Sequence, residues 1–112
     1  MAILVHAARA THNWIGPGVR RGERIYHVLS DLEGEEGRRE LIAYILPYGM
    51  RPGWIQYPGT YREHYDVPEH VGLRMLAAGA RPATNREVGE LLARKKRHIA
   101  EQRLSAEDGA ED

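Results

Sequence analysis

Arg24-Ile25-Tyr26-His27-Val28-Leu29-Ser30-Asp31 is the stretch on which the fold turns. Arg24 to Leu29 reads as a strand, with Ile25, His27 and Leu29 on one face and Tyr26 and Val28 on the other. His27 is thereby placed on an inward face, between two aliphatic neighbours. Upstream, Met1-Ala-Ile-Leu-Val-His-Ala-Ala8 is a short apolar run without alternation, which suits a strand covered on both sides. Arg9 to Gly22 joins the two as a loop. It carries Trp14 and has Gly16-Pro17-Gly18 near its middle. The first strand either pairs with the second antiparallel through this loop or returns along the sheet parallel to it.

Downstream, Ser30-Asp31-Leu32-Glu33 has the form of a capping box, with Ser30 as cap and Glu33 reaching back. Leu41, Ile42, Ile45 and Leu46 form a helical stripe, which Pro47 ends. Trp54-Ile55-Gln56-Tyr57 reads as a third strand closed by Pro58-Gly59. Asp66 then caps a second helix, with Pro68 in its first turn and Glu69 three residues on. Val71, Met75, Leu76 and Ala78 supply its apolar face, and Gly79 is its stop. Ala80 to Ala83 is a short strand. Thr84 caps the last helix with Glu87 three residues on. That helix spans about Asn85 to Leu104, with Val88, Leu91, Leu92 and Ile99 inward and Arg94-Lys95-Lys96-Arg97 in water.

The order β-β-α-β-α-β-α predicts a small α/β domain over residues 1–104, in two or three layers, with three helices and a four-stranded, mostly parallel sheet. Residues 105–112 carry four acidic groups and no apolar anchor, and read as a disordered acidic tail.

The chain has 112 residues, with sixteen basic and sixteen acidic side chains, and therefore a formal charge of zero. That length holds one domain. The balance builds in no general attraction to nucleic acid or to a membrane surface. There is no cysteine, which excludes disulfide scaffolds, zinc–thiolate sites and cysteine nucleophiles. No run approaches the length of a membrane helix and no signal-peptide pattern is present, so a cytoplasmic location is expected. P-loop, GxGxxG, HExxH and GxSxG motifs are absent. The Arg94–Arg97 run spreads around a helix without interleaved aromatics, and nucleic-acid binding is not expected.

In a parallel α/β sheet, ligands bind beyond the carboxyl ends of the strands. Asp31, Gln56, His64, Tyr65, Asp66 and Thr84 all fall at that rim, and His27 lies just inside it. Helix N-termini there favour an anionic group. The expected site is a polar pocket for a small anionic or nucleotide-like ligand. Gln56, Tyr65, Thr84 and Trp14 would contact the ligand. His27, Asp31, His64 and Asp66 would carry acid–base hydrolysis, if the protein is an enzyme. No metal motif is matched. If a metal binds, His64 and Asp66 are the ligands, with His27 and Asp31 completing a nitrogen–oxygen set suited to zinc or manganese. The plainer readings are a helix cap for Asp66 and a buried structural histidine for His27. A rival class is a phage-like or accessory interaction protein that docks a host protein through the Trp14 loop and the basic last helix. No particular cofactor is indicated.

Five segments, taken in order, resemble one family: Tyr26-His27-Val28-Leu29-Ser30-Asp31, Glu40-Leu41-Ile42-Ala43, Trp54-Ile55-Gln56, His64-Tyr65-Asp66-Val67-Pro68-Glu69 and Leu76-Ala77-Ala78-Gly79-Ala80. Together they are similar to an uncharacterised bacterial and phage family, domain of unknown function 4031. The likeness spans roughly residues 3 to 92. Tyr26 stands where the family pattern has tryptophan, and Ile42 where it has histidine. The resemblance points to His27, Asp31, Gln56, His64, Tyr65 and Asp66 and implies no particular reaction.

Overall fold

The computed structural model describes residues 2–9 and 24–110. Within them the elements run β1 (Ile3–Arg9), β2 (Arg24–Ser30), α1 (Gly34–Ile45), β3 (Tyr65–Pro68), α2 (Glu69–Ala77), β4 (Arg81–Pro82) and α3 (Asn85–Ala110). Two short 3-10 turns, Leu46–Tyr48 and Pro52–Trp54, lie between α1 and β3. The four strands form one sheet in the order β3-β2-β1-β4. Both edge strands carry a proline, Pro68 and Pro82, where a missing N–H is tolerated.

The architecture is α/β, but the sheet is mostly antiparallel. β1 pairs with β2 antiparallel, β2 pairs with β3 antiparallel, and only β1 and β4 run parallel. The expectation of a mostly parallel sheet fails at the third strand. Trp54–Tyr57 does not join the sheet. Pro52 bends its start into a turn, and Tyr57 takes a positive φ of 50°, rare for a residue with a side chain. Gln56 then bridges His64 antiparallel. The turn between them reverses the chain, so the strand that follows, Tyr65–Pro68, runs against β2 rather than with it.

Residues 65–68 have the pattern of a half-buried strand. Tyr65 and Val67 are fully buried, while Asp66 and Pro68 face the other way. Asp66 is therefore a strand residue and not a helix cap. Pro68 is the residue that precedes α2, and among the described residues no side chain caps that helix. The Ser30–Glu33 box does not form either. Ser30 Oγ donates to Glu40 at 2.7 Å and accepts from the Leu32 amide, and Glu33 precedes α1 without a side-chain capping bond. The Thr84–Glu87 box does form, with Thr84 Oγ1 accepting from the Glu87 amide and Glu87 accepting from the Thr84 amide. The last helix continues past Leu104 to Ala110, and residues 105–110 have helical backbone.

Register decides what each face carries. Val5, Tyr26, Val28, Tyr65 and Val67 share one face and pack against Leu41 and Ile45 of α1 and Val71 and Met75 of α2. Gly72 makes this packing possible, because a Cβ there would fall 2.4 Å from the Tyr26 ring. On the other face Leu4 and Leu29 pack against Leu91 of α3. The sheet is thus a middle layer between α1/α2 and α3. Among the described residues no helix is long and apolar enough to cross a membrane.

Candidate metal centre

The face under α3 carries a polar row between its aliphatic patches. Register places His6 opposite His27, and His27 opposite Asp66, on three adjacent strands. Alternation makes all three project from one side of the sheet. His64, two residues before Asp66, joins them through the antiparallel bridge to Gln56, with Gln56 N donating to the His64 carbonyl at 2.8 Å. His27, His64 and Asp66 then offer three donor atoms that all lie within 4.8 Å of one another.

The geometry around Asp66 is specific. His64 Nε2 is 3.1 Å and His27 Nε2 3.4 Å from Asp66 Oδ1. That oxygen is buried and accepts no hydrogen bond among the described residues. Donors bound about 2.0–2.2 Å from a tetrahedral ion stand roughly 3.3–3.6 Å from each other. The two measured separations fall within a few tenths of an ångström of that edge.

The outer partners assign the tautomers. His64 Nδ1 is 2.6 Å from the Arg62 carbonyl, which only accepts, so Nδ1 carries a proton, and in neutral His64 Nε2 presents a lone pair. His6 Nε2 meets Asn85 Oδ1 at the start of α3, again an acceptor, so His6 Nε2 is protonated. In neutral His6 this leaves Nδ1 as an acceptor, 3.3 Å from His27 Nδ1. His27 therefore donates from Nδ1 and, like His64, presents a bare Nε2. Two imidazole lone pairs and a carboxylate oxygen face one another with no proton between them. A second hydrogen bond that fixes the far ring nitrogen is the usual support of a histidine metal ligand.

Burial, the neighbouring His64 and His6 push the His27 imidazole down to about 4, against the pull of Asp66, so it is neutral at physiological pH. The His27 side chain keeps 31 % exposure, while His64 and Asp66 keep 14 % and 11 %. His27 is thus the most exposed of the three. At the border of the cluster the Arg62 guanidinium lies 4.3 Å from the Tyr57 ring centroid, and that ring tilts against His64.

Sequence reasoning singled out His27, His64 and Asp66, and these the structure brings together. It placed them on a carboxyl rim; they sit mid-sheet, on a face, because the strands are not parallel. The other candidates lie elsewhere. Tyr65 points to the opposite face, fully buried, with its hydroxyl donating to the Pro52 carbonyl at 2.6 Å, and is not placed to meet a ligand there. Asp31 accepts from the Ala2 amide at 2.7 Å and closes the end of β1 on β2. Gln56 contributes its backbone to the His64 bridge, and Thr84 is the helix cap described above. Trp14 lies outside the described residues. Asn85 follows Thr84 at the expected rim, and His6 reads from sequence as a core histidine; their pairing with each other and with His27 is what the structure adds. A histidine near the middle of each of the first two strands becomes a pair once the register is known.

No curated protein and no solved structure is significantly similar to the chain. The family model described as "Protein of unknown function (DUF4031)" matches residues 16–95, a span holding His27, His64, Asp66 and Asn85, and the chain belongs to that family.

Proposed function

We propose that the protein binds one divalent transition-metal ion through His27 Nε2, His64 Nε2 and Asp66 Oδ1 and uses it to hydrolyse a small anionic ligand. The observation that carries this reading is the buried Asp66 oxygen, unbonded among the described residues, between two imidazole nitrogens whose protons are held on their far sides. Without a cation the arrangement places like partial charges together in a poorly solvated spot. With one, every donor is satisfied. Two nitrogens and one oxygen suit zinc and also manganese or iron, and three protein ligands leave a position open. A metal held there would polarise a bound water and attract an anionic substrate group. The chain's own part is to hold the ligands, fix both tautomers and exclude bulk water on the α3 side.

The test is calorimetric titration of chelator-treated protein with zinc and with manganese ions. One-to-one binding is expected, with a loss of at least a hundredfold in His64→Ala and Asp66→Ala. X-ray absorption should report two nitrogen neighbours and one oxygen from the protein. Hydrolysis of nitrophenyl phosphate and carboxylate esters is then compared with and without metal. Failure of either metal to bind stoichiometrically, or undiminished binding by both variants, overturns the metal centre. Binding without metal-dependent turnover of any ester overturns the hydrolytic part alone.

A further inference from the structure

We infer that a second site lies between the start of α1 and the middle of α3, where Lys95 binds a single carboxylate or phosphate oxyanion on a small ligand. This goes beyond the metal reading and does not rest on it. A cavity of about 280 Å³ opens there, lined among others by Gly34, Gly37 and Lys95 and by the acidic Glu33, Glu35 and Glu63.

The charges around it leave one residue over. Arg38 pairs with Glu63 at 2.8 Å. Glu33 is held by Arg94 at 3.1 Å and by His98 at 2.8 Å. Glu35 pairs with Arg39. Lys95 is only 9 % exposed and closes no ion pair or hydrogen bond among the described residues. The carboxylates of Glu63, Asp31 and Glu33 favour its charge from a distance, but burial outweighs them and holds its ammonium below the ordinary lysine value. Its stem is buried while Nζ stays open to the cavity, so the ammonium is free to take an oxyanion there.

A second feature points the same way. α1 begins at this cavity with Gly34, and among the described residues no side chain caps its first-turn amides. A helix N-terminus and a buried lysine on one cavity together favour an oxyanion. Gly37 keeps the wall tight, since a Cβ there would fall 2.3 Å from the Leu32 carbonyl oxygen. Leu32, Leu41 and Ile99 line the same cavity and suit a small apolar body attached to the anion.

The experiment is a nitrogen–proton NMR titration of the whole chain with inorganic phosphate, with butyrate and, as control, with chloride, at matched ionic strength. Saturable shifts are expected at Gly34, Glu35, Gly37 and Lys95 with phosphate or butyrate, not with chloride. Whichever of the two saturates identifies the anion as phosphate or carboxylate. Lys95→Met and Lys95→Gln should weaken that binding at least tenfold while keeping a folded spectrum, and Asp66→Asn should leave it unchanged. If both Lys95 variants unfold, a saturable rise in the wild-type unfolding midpoint, present in Asp66→Asn and missing with chloride, is the expected result. No saturable response to either anion, or equal binding by a folded Lys95 variant, overturns the site.

Discussion

His64 Nε2 stands 3.1 Å from Asp66 Oδ1, and that oxygen nevertheless accepts no hydrogen bond among the described residues. In neutral His64 the proton sits on the opposite nitrogen, against the Arg62 carbonyl. The contact is therefore between two acceptors. Such a contact is unfavourable for the fold alone and favourable for a bound cation, so stability and metal binding should respond in opposite directions to changes here.

Asp66→Asn tests this directly. The amide N–H can donate to the bare Nε2 of His64, filling the gap that the carboxylate leaves. Metal-free Asp66→Asn should be more stable than the parent by about 1 kcal/mol, the usual worth of a hydrogen bond gained. Its zinc affinity should be nearly abolished. Urea unfolding with and without zinc measures both. A metal-free variant less stable than the parent would contradict the tautomer assignment.

Asn85 acts one step further out. Its Oδ1 holds the His6 proton, and His6 in turn sets the proton of His27. Asn85→Ala should lower metal affinity by roughly ten- to a hundredfold, the usual effect of losing a ligand's outer partner. Asn85→Asp keeps the acceptor and should restore most of the affinity. Calorimetric titration of both variants separates this positioning role from a merely structural one, which would move the unfolding midpoint and not the affinity.

Gly72 is the packing hinge of the other face. Its missing side chain admits the Tyr26 ring, with ring atoms 2.4 Å and 2.5 Å from where a Cβ would be. Gly72→Ala should destabilise the protein by roughly 1–3 kcal/mol, the cost of overpacking, even though alanine is the better helix former. Thermal unfolding reads the loss. Tyr26→Leu in the same chain should recover part of it by vacating the ring's space.

Lys95 gives a pH signature. Its folded ammonium loses its proton more readily than that of the unfolded chain. Between the lowered folded value and the ordinary one, the unfolded chain binds a proton that the folded chain does not. Stability contributed by this residue therefore rises with pH through that window, and below it the buried charge is a standing cost. Lys95→Met should unfold at a higher temperature than the parent at neutral pH, and the difference should shrink as pH rises toward 10. Unfolding midpoints of the two proteins across pH 7–10 decide it. A constant or widening gap would show that Lys95 is not desolvated.

The elements that the chain alone determines are those written within a few adjacent residues. Alternation over Arg24–Leu29 defines β2, the Leu41 and Ile45 stripe defines α1, and Thr84 with Glu87 marks the start of α3. His27, His64 and Asp66 were legible as chemistry-bearing residues by type and local order. Their convergence was not, because it depends on pairing between strands far apart in the chain. Asp66, Pro68 and Glu69 imitate a helix start, and locally nothing outweighs that signal. Only the reversal between Gln56 and His64 turns Tyr65–Pro68 into an antiparallel strand and swings Asp66 onto the face of His27. Likewise a basic run on a helix reads as solvated, and only the meeting of the middle of α3 with the start of α1 around one cavity buries the Lys95 stem while Arg94 reaches Glu33. Backbone periodicity is a local property, carried by sterics and side-chain spacing. Register, strand direction and the identity of the buried lysine are set by contacts between distant segments, and the candidate chemistry of this protein lies in those contacts.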